Sequence, residues 1–111
     1  MANSFKLKTK TNVGTTALTV YTANTANLSS TILVGLVCSN TTSSAVEADV
    51  QIENDDGDNV YIVKDAPIPA KGSLEVLSGG KIVMEPDDVM KVTSSAVSSI
   101  DVSLSIMEIT T

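Results

Sequence analysis

The sequence predicts an all-β fold, a single β-sandwich of about eight short antiparallel strands with jelly-roll or immunoglobulin-like topology. Three observations predict it. The apolar 42% is Val, Ile, Leu and Ala with few aromatics, and 27 residues are Ser or Thr; branched side chains keep their rotamers in strands and crowd a helical turn. Strand-length segments recur with Gly, Pro, Asn and Asp between them, and no apolar stripe holds helical spacing over the length of a helix.

The first two segments are Phe5 to Lys10 and Thr16 to Tyr21, parted by Asn12-Val13-Gly14. Thr31 to Cys38 is apolar on both faces, which suits a central strand covered on both sides or one lying at an interface. Val46, Ala48, Val50 and Ile52 alternate with Glu47, Asp49, Gln51 and Glu53, giving one packed and one wet face. Asn54-Asp55-Asp56-Gly57-Asp58-Asn59 then forms a hairpin loop to Val60–Val63, with the two strands antiparallel. Pro67 and Pro69 remove ladder donors and mark an edge or a connection. Ser73 to Leu77, Lys81 to Met84 and Val89 to Thr93 follow, separated by Gly79-Gly80 and Glu85-Pro86-Asp87-Asp88. In the last strand Ile100, Val102, Leu104 and Ile106 point inward. Met107 and Ile109 break that phase, which predicts a bulge or a second buried face.

A chain of 111 residues holds one domain, burying roughly 65% of its unfolded surface. Residues 13–111 form the sandwich, and residues 1–12 an N-terminal arm or edge strand. Lys6, Lys8 and Lys10 give the first ten residues a charge of +3, leaving −9 for the rest of a chain whose net charge is −6. In an extended segment these lysines share one face and Phe5 and Leu7 the other. Inert lysines on an edge strand deter mispairing; alternatively, Phe5, Lys6, Leu7, Lys8 and Lys10 dock on an acidic neighbour.

The acidic body has no Arg, which argues against nucleic-acid binding, where clustered cations meet phosphates and Arg forks read bases. Without His the usual proton shuttle and zinc ligand are missing, so no catalytic residue, metal site or cofactor is assigned. The acidic loop fails the calcium pattern, because with Gly57 in the glycine position the first ligand falls on Ile52 and the last on Val63. Glu85, Asp87 and Asp88 at a proline turn have no aromatic sugar platform beside them. Cys38 is a lone thiol in an apolar run and reads as a small buried hydrophobe. The first twenty residues have no apolar signal-peptide core and no run reaches membrane-span length, so synthesis in a cytoplasm and no membrane partner are expected. Asn27-Leu28-Ser29 and Asn40-Thr41-Thr42 are then chance sequons.

Thr19-Val20-Tyr21-Thr22-Ala23-Asn24-Thr25 and Val34-Gly35-Leu36-Val37 running into Ser39-Asn40-Thr41-Thr42 resemble small virion structural proteins of tailed bacteriophages, especially those of marine cyanobacteria. Ala66-Pro67-Ile68-Pro69-Ala70-Lys71-Gly72-Ser73-Leu74-Glu75-Val76, Gly80-Lys81-Ile82-Val83-Met84-Glu85-Pro86-Asp87-Asp88 and Met90-Lys91-Val92 are similar to later parts of the same group. Asp101 to Ile109 resembles its closing strand. Asp88 departs from the pattern, standing where the group has a tight-turn glycine. The resemblance implies a virion protein without enzymatic activity. Its implied role is a capsid decoration or cement protein bound over the major capsid protein as a homotrimer. A neck, tail or baseplate component, or a host-receptor-binding module, is the alternative.

Overall fold

The computed structural model describes residues 2–78 and 80–111. Their alternating patterns resolve into nine strands and no helix: β1 (Ala2–Val13), β2 (Leu18–Thr22), β3 (Leu28–Asn40), β4 (Val46–Glu53), β5 (Asn59–Ile68), β6 (Ser73–Glu75), β7 (Ile82–Met84), β8 (Val89–Ser94) and β9 (Ile100–Thr110). One sheet has the order β1-β9-β3-β6, with β7 also pairing β3; the other is β2-β8-β4-β5. Every pairing is antiparallel. β6 pairs Val37–Ser39 and β7 pairs Thr31–Leu33, so they occupy one edge position as two halves. Counted that way there are eight strand positions, four per sheet, and most connections cross between the sheets. This is jelly-roll order, which decides the topology that the sequence left open.

The core lies between the sheets and is built mainly by period-two alternation. Ile100, Val102, Leu104 and Ile106 of β9 meet Leu33, Leu36 and Cys38 of β3 on one inner face, and Val46, Ala48, Val50, Met90 and Val92 of the other sheet face them. Burial pushes the Cys38 thiol up to about 11, so it stays protonated among apolar neighbours. The β4–β5 hairpin forms as expected, and Pro67 falls in β5, an edge strand, where its missing N–H leaves no gap in the ladder. Gln51 departs from the wet face assigned to it: it is buried, and its Nε2 donates to Asn59 Oδ1 at 2.9 Å.

The phase break expected at Met107 does not occur in β9, which pairs β1 without interruption from Thr110 to Val102. The register shifts lie in the partner strand β3, between Leu28 and Ser30 and between Leu33 and Gly35. β9 therefore keeps its alternation, Met107 and Ile109 point outward, and the next inward position belongs to Glu108.

Polar side chains hold the loops. Asn40 is buried; its Nδ2 donates to the carbonyls of Ser44, Ile68 and Pro69, and its Oδ1 accepts from Thr42 N and Oγ1. At Gly72 a Cβ would lie 2.8 Å from Pro69 Cγ, so the turn admits no side chain there. Asp88 accepts from the amides of Asp55 (3.1 Å) and Glu85 (2.9 Å), tying the hairpin tip to the turn before β8. The neighbouring Asp87 takes the left-handed backbone, at φ 74°. The turn expected at Gly79-Gly80 lies partly outside the described residues.

Leu104 is fully buried. Leu104→Ala is expected to cost about 2–5 kcal/mol in urea unfolding, the range for a cavity in a close-packed core; a loss within error would put this face of β9 in solvent.

Candidate functional site

Period two places a carboxylate inside the sandwich. Glu108 continues the inward row of β9 and is 1% exposed. An unpaired charge there would be strongly disfavoured, and three elements supply partners. Tyr21, from β2, donates to Oε2 at 2.6 Å, and Thr25 Oγ1, from the β2–β3 connection, donates to the same oxygen at 2.9 Å. Thr31 of β3 stands directly opposite Glu108 in the ladder and lies 2.8 Å from the Tyr21 oxygen. Since Tyr21 has one proton and gives it to Glu108, Thr31 is the donor in that bond. Among the described residues Oε1 has no partner but the Lys6 ammonium, at 2.7 Å.

Lys6 reaches Glu108 because β1 pairs Lys6 with Ile106, which makes Glu108 its diagonal neighbour on the same face, within range of a long side chain. Burial alone would raise the Glu108 pKa, but hydrogen bonds from Lys6, Tyr21 and Thr25, with the Lys6 charge, outweigh it and hold the carboxyl below its ordinary value. Burial, then the bond to Glu108, pushes the Tyr21 phenol up to about 12, keeping it a donor. The cluster is a structural tie. Its polar groups are committed to one another.

The structure divides the five residues singled out in the N-terminal segment. Phe5 and Leu7 lie on the outer face of their sheet, 76% and 63% exposed. Lys6, Lys8 and Lys10 lie on the opposite side of β1, Lys6 bound to Glu108, Lys8 half-buried and Lys10 exposed, the last two without an ion pair among the described residues. Residues 2–13 are an edge strand laid along β9 rather than a projecting arm.

Ladder register then builds a surface that sequence reasoning did not find. Phe5 pairs Met107, Met107 pairs Ile32, and Ile32 pairs Val83, so four large apolar side chains cross the whole sheet in one row on its outer face. Val34, the extra residue at the β3 register shift, adds to it, and Leu7, Ser105 and Gly35 form the next row. Neither row carries a charge. The two-faced apolar pattern of Thr31 to Cys38 is thus half core and half open surface. Only pairwise register, which sequence alone did not supply, reveals the row.

At the opposite edge the two sheets part into an open cleft of about 440 Å³. Ile52, Val60, Ile62 and Ile82 line it, and Asp55, Asp56 and Glu85 stand around it. Among the described residues no three acidic or cysteine side chains converge as metal ligands do, and no helix is long and apolar enough to cross a membrane.

No family profile matches the chain, and no curated protein matches it in sequence. Solved structures do. A chain from Bacillus endospore appendages, which form disulfide-linked pili, superposes with a TM-score of 0.57 at 12% identity, covering 99% of this chain and 88% of that one. A chain from infectious bursal disease virus, Gx strain, superposes with a TM-score of 0.52 at 15% identity; 94% of this chain matches 33% of the viral one, so this chain spans about a third of that neighbour's length. Both likenesses establish the shared jelly-roll architecture.

Folding lowers the Glu108 pKa below its ordinary 4.5, so the stability it contributes is complete above that value and is lost as the pH falls through the lowered folded-state value. Glu108→Gln is expected to be less stable than wild type at pH 7 by about 1–3 kcal/mol. The gap should close as both proteins are acidified below 4.5 and urea midpoints are compared. A gap independent of pH would mean that the charge contributes nothing.

Proposed function

We propose that the chain is a non-enzymatic structural subunit of a virion, a decoration or cement protein that lies over the major capsid protein and stabilises the shell. The observation that carries this reading is the uncharged apolar row Phe5, Met107, Ile32 and Val83, which crosses the outer face of its sheet with Phe5 and Val83 exposed and Met107 and Ile32 half-buried. Contiguous apolar surface of this kind marks a protein–protein contact. The likeness of the fold to chains from a virus and a pilus, together with the resemblance to tailed-phage virion proteins, supports placement in an assembled particle. Neighbouring virion proteins at the neck, tail or baseplate are the alternative seat, and a receptor-binding module the other; an uncharged docking face serves the first of these equally well. Assembly is non-covalent in this reading, unlike that of the disulfide-linked pili, because Cys38 is fully buried.

Two measurements test it. Quantitative mass spectrometry of purified particles should find hundreds of copies, in fixed ratio to the major capsid protein. A few to a few dozen would move the chain to the neck, tail or baseplate, and none would overturn the reading. Phe5→Glu with Leu7→Glu, both at exposed positions, should abolish capture by particles that lack the chain while leaving its thermal unfolding unchanged. Wild-type occupancy by the variant would remove the sheet face from the contact.

A further inference from the structure

Two edges of the sandwich carry uncommitted side chains of opposite sign. Lys6, Lys64 and Lys91 are ion-paired within the chain, to Glu108, Asp49 and Glu53. Lys8 and Lys10 make no hydrogen bond or ion pair among the described residues, and both project from β1, the outermost strand of its sheet. At the other edge, beside β5 and β7, the side chains of Asp55, Asp56 and Glu85 are likewise uncommitted and surround the apolar cleft floored by Ile52, Val60, Ile62 and Ile82. Lys81 precedes β7 but is not among the residues lining the cleft. A net charge of −6 opposes self-association in general, so contact between copies is favoured where opposite signs meet.

We propose that copies of this chain associate head to tail, the β1 edge of one copy seating Lys8 and Lys10 against the acidic rim of the β5–β7 cleft of the next. The inference rests on the structural-subunit reading for its biological meaning; the two surfaces meet at Val83, which ends the apolar row and also lines the cleft, while Phe5, Met107 and Ile32 stay free for the shell. β1 is an open edge, with unpaired backbone groups on the side away from β9, and its inward-turned lysines discourage pairing with any basic or neutral strand. An acidic, partly apolar cleft lifts that restriction for one partner, a second copy. Because the two surfaces differ, the contact is heterologous. Repeated, it closes into a ring if the rotation per subunit allows, or runs on as a filament if not. A closed ring of three is the homotrimer that the resemblance implies.

The test is a charge swap on the purified chain, read by sedimentation velocity at low and high salt. Wild type should self-associate at low salt and dissociate as salt is raised, since exposed pairs are screened. Lys8→Glu with Lys10→Glu, and separately Asp55→Lys with Asp56→Lys, should each weaken association at least tenfold, with wild-type circular dichroism and melting showing that both variants fold. Mixing the two variants should restore assembly, because each then meets a complementary edge. A monomeric wild type, double variants that associate like wild type, or a mixture that stays monomeric would each overturn the proposal. None of these outcomes depends on particle copy number, so failure here is distinguishable from failure of the virion reading.

Discussion

The fold turns on one buried carboxylate. Glu108 occupies an inward position near the end of the central strand β9, where the alternation calls for an aliphatic residue, and is tolerable there only because Tyr21, Thr25 and Lys6 converge on it. Those partners come from β2, the β2–β3 connection and β1, so a single charge joins the two sheets and fastens the N-terminal strand. Hydrophobic burial is indifferent to which strand lies beside β9. A carboxylate that needs an ammonium is not. Lys6 satisfies it when β1 runs in the observed register; a slip by one residue would turn the lysines to the outer face and Phe5 and Leu7 to the inner.

That register gives β1 two working surfaces. Its outward residues complete an apolar row across the sheet, and its inward lysines divide between structure and surplus: Lys6 is consumed by Glu108, while Lys8 and Lys10 remain free. The strand belongs to the body of the sandwich and yet supplies the exposed Phe5 and Leu7 and the two uncommitted edge cations. An edge that resists random pairing while presenting a defined face is what a subunit of an ordered assembly requires.

Most strands were legible because period-two patterning and turn chemistry are local. Val46 to Val50 and Ile100 to Ile106 alternate so regularly that their inner faces follow from the residues alone, and Asn54 to Asp58 could hardly be other than a loop. Topology was not legible, since jelly-roll and immunoglobulin-like sandwiches use the same strand grammar and differ in which distant strands pair. The site was missed for a related reason. Glu108 breaks the hydrophobic pattern without breaking the backbone phase, and its partners Lys6, Tyr21 and Thr25 are remote in sequence. A charged residue in phase with Ile100, Val102, Leu104 and Ile106 was the available signal. Lys6 read as one of three equivalent lysines because nothing in its own neighbourhood sets it apart from Lys8.

β1 is a strand held to the sandwich through Glu108. Amide hydrogen exchange followed residue by residue tests this directly. The β1 amides that bond β9 should share the protection of the β9 amides facing them, and in Glu108→Gln the protection of β1 should fall while that of the β3–β9 ladder persists. Exchange of residues 3–10 at unstructured-chain rates in the wild type would make the segment a free arm and contradict the clamp, the apolar row and the presentation of Lys8 and Lys10 together.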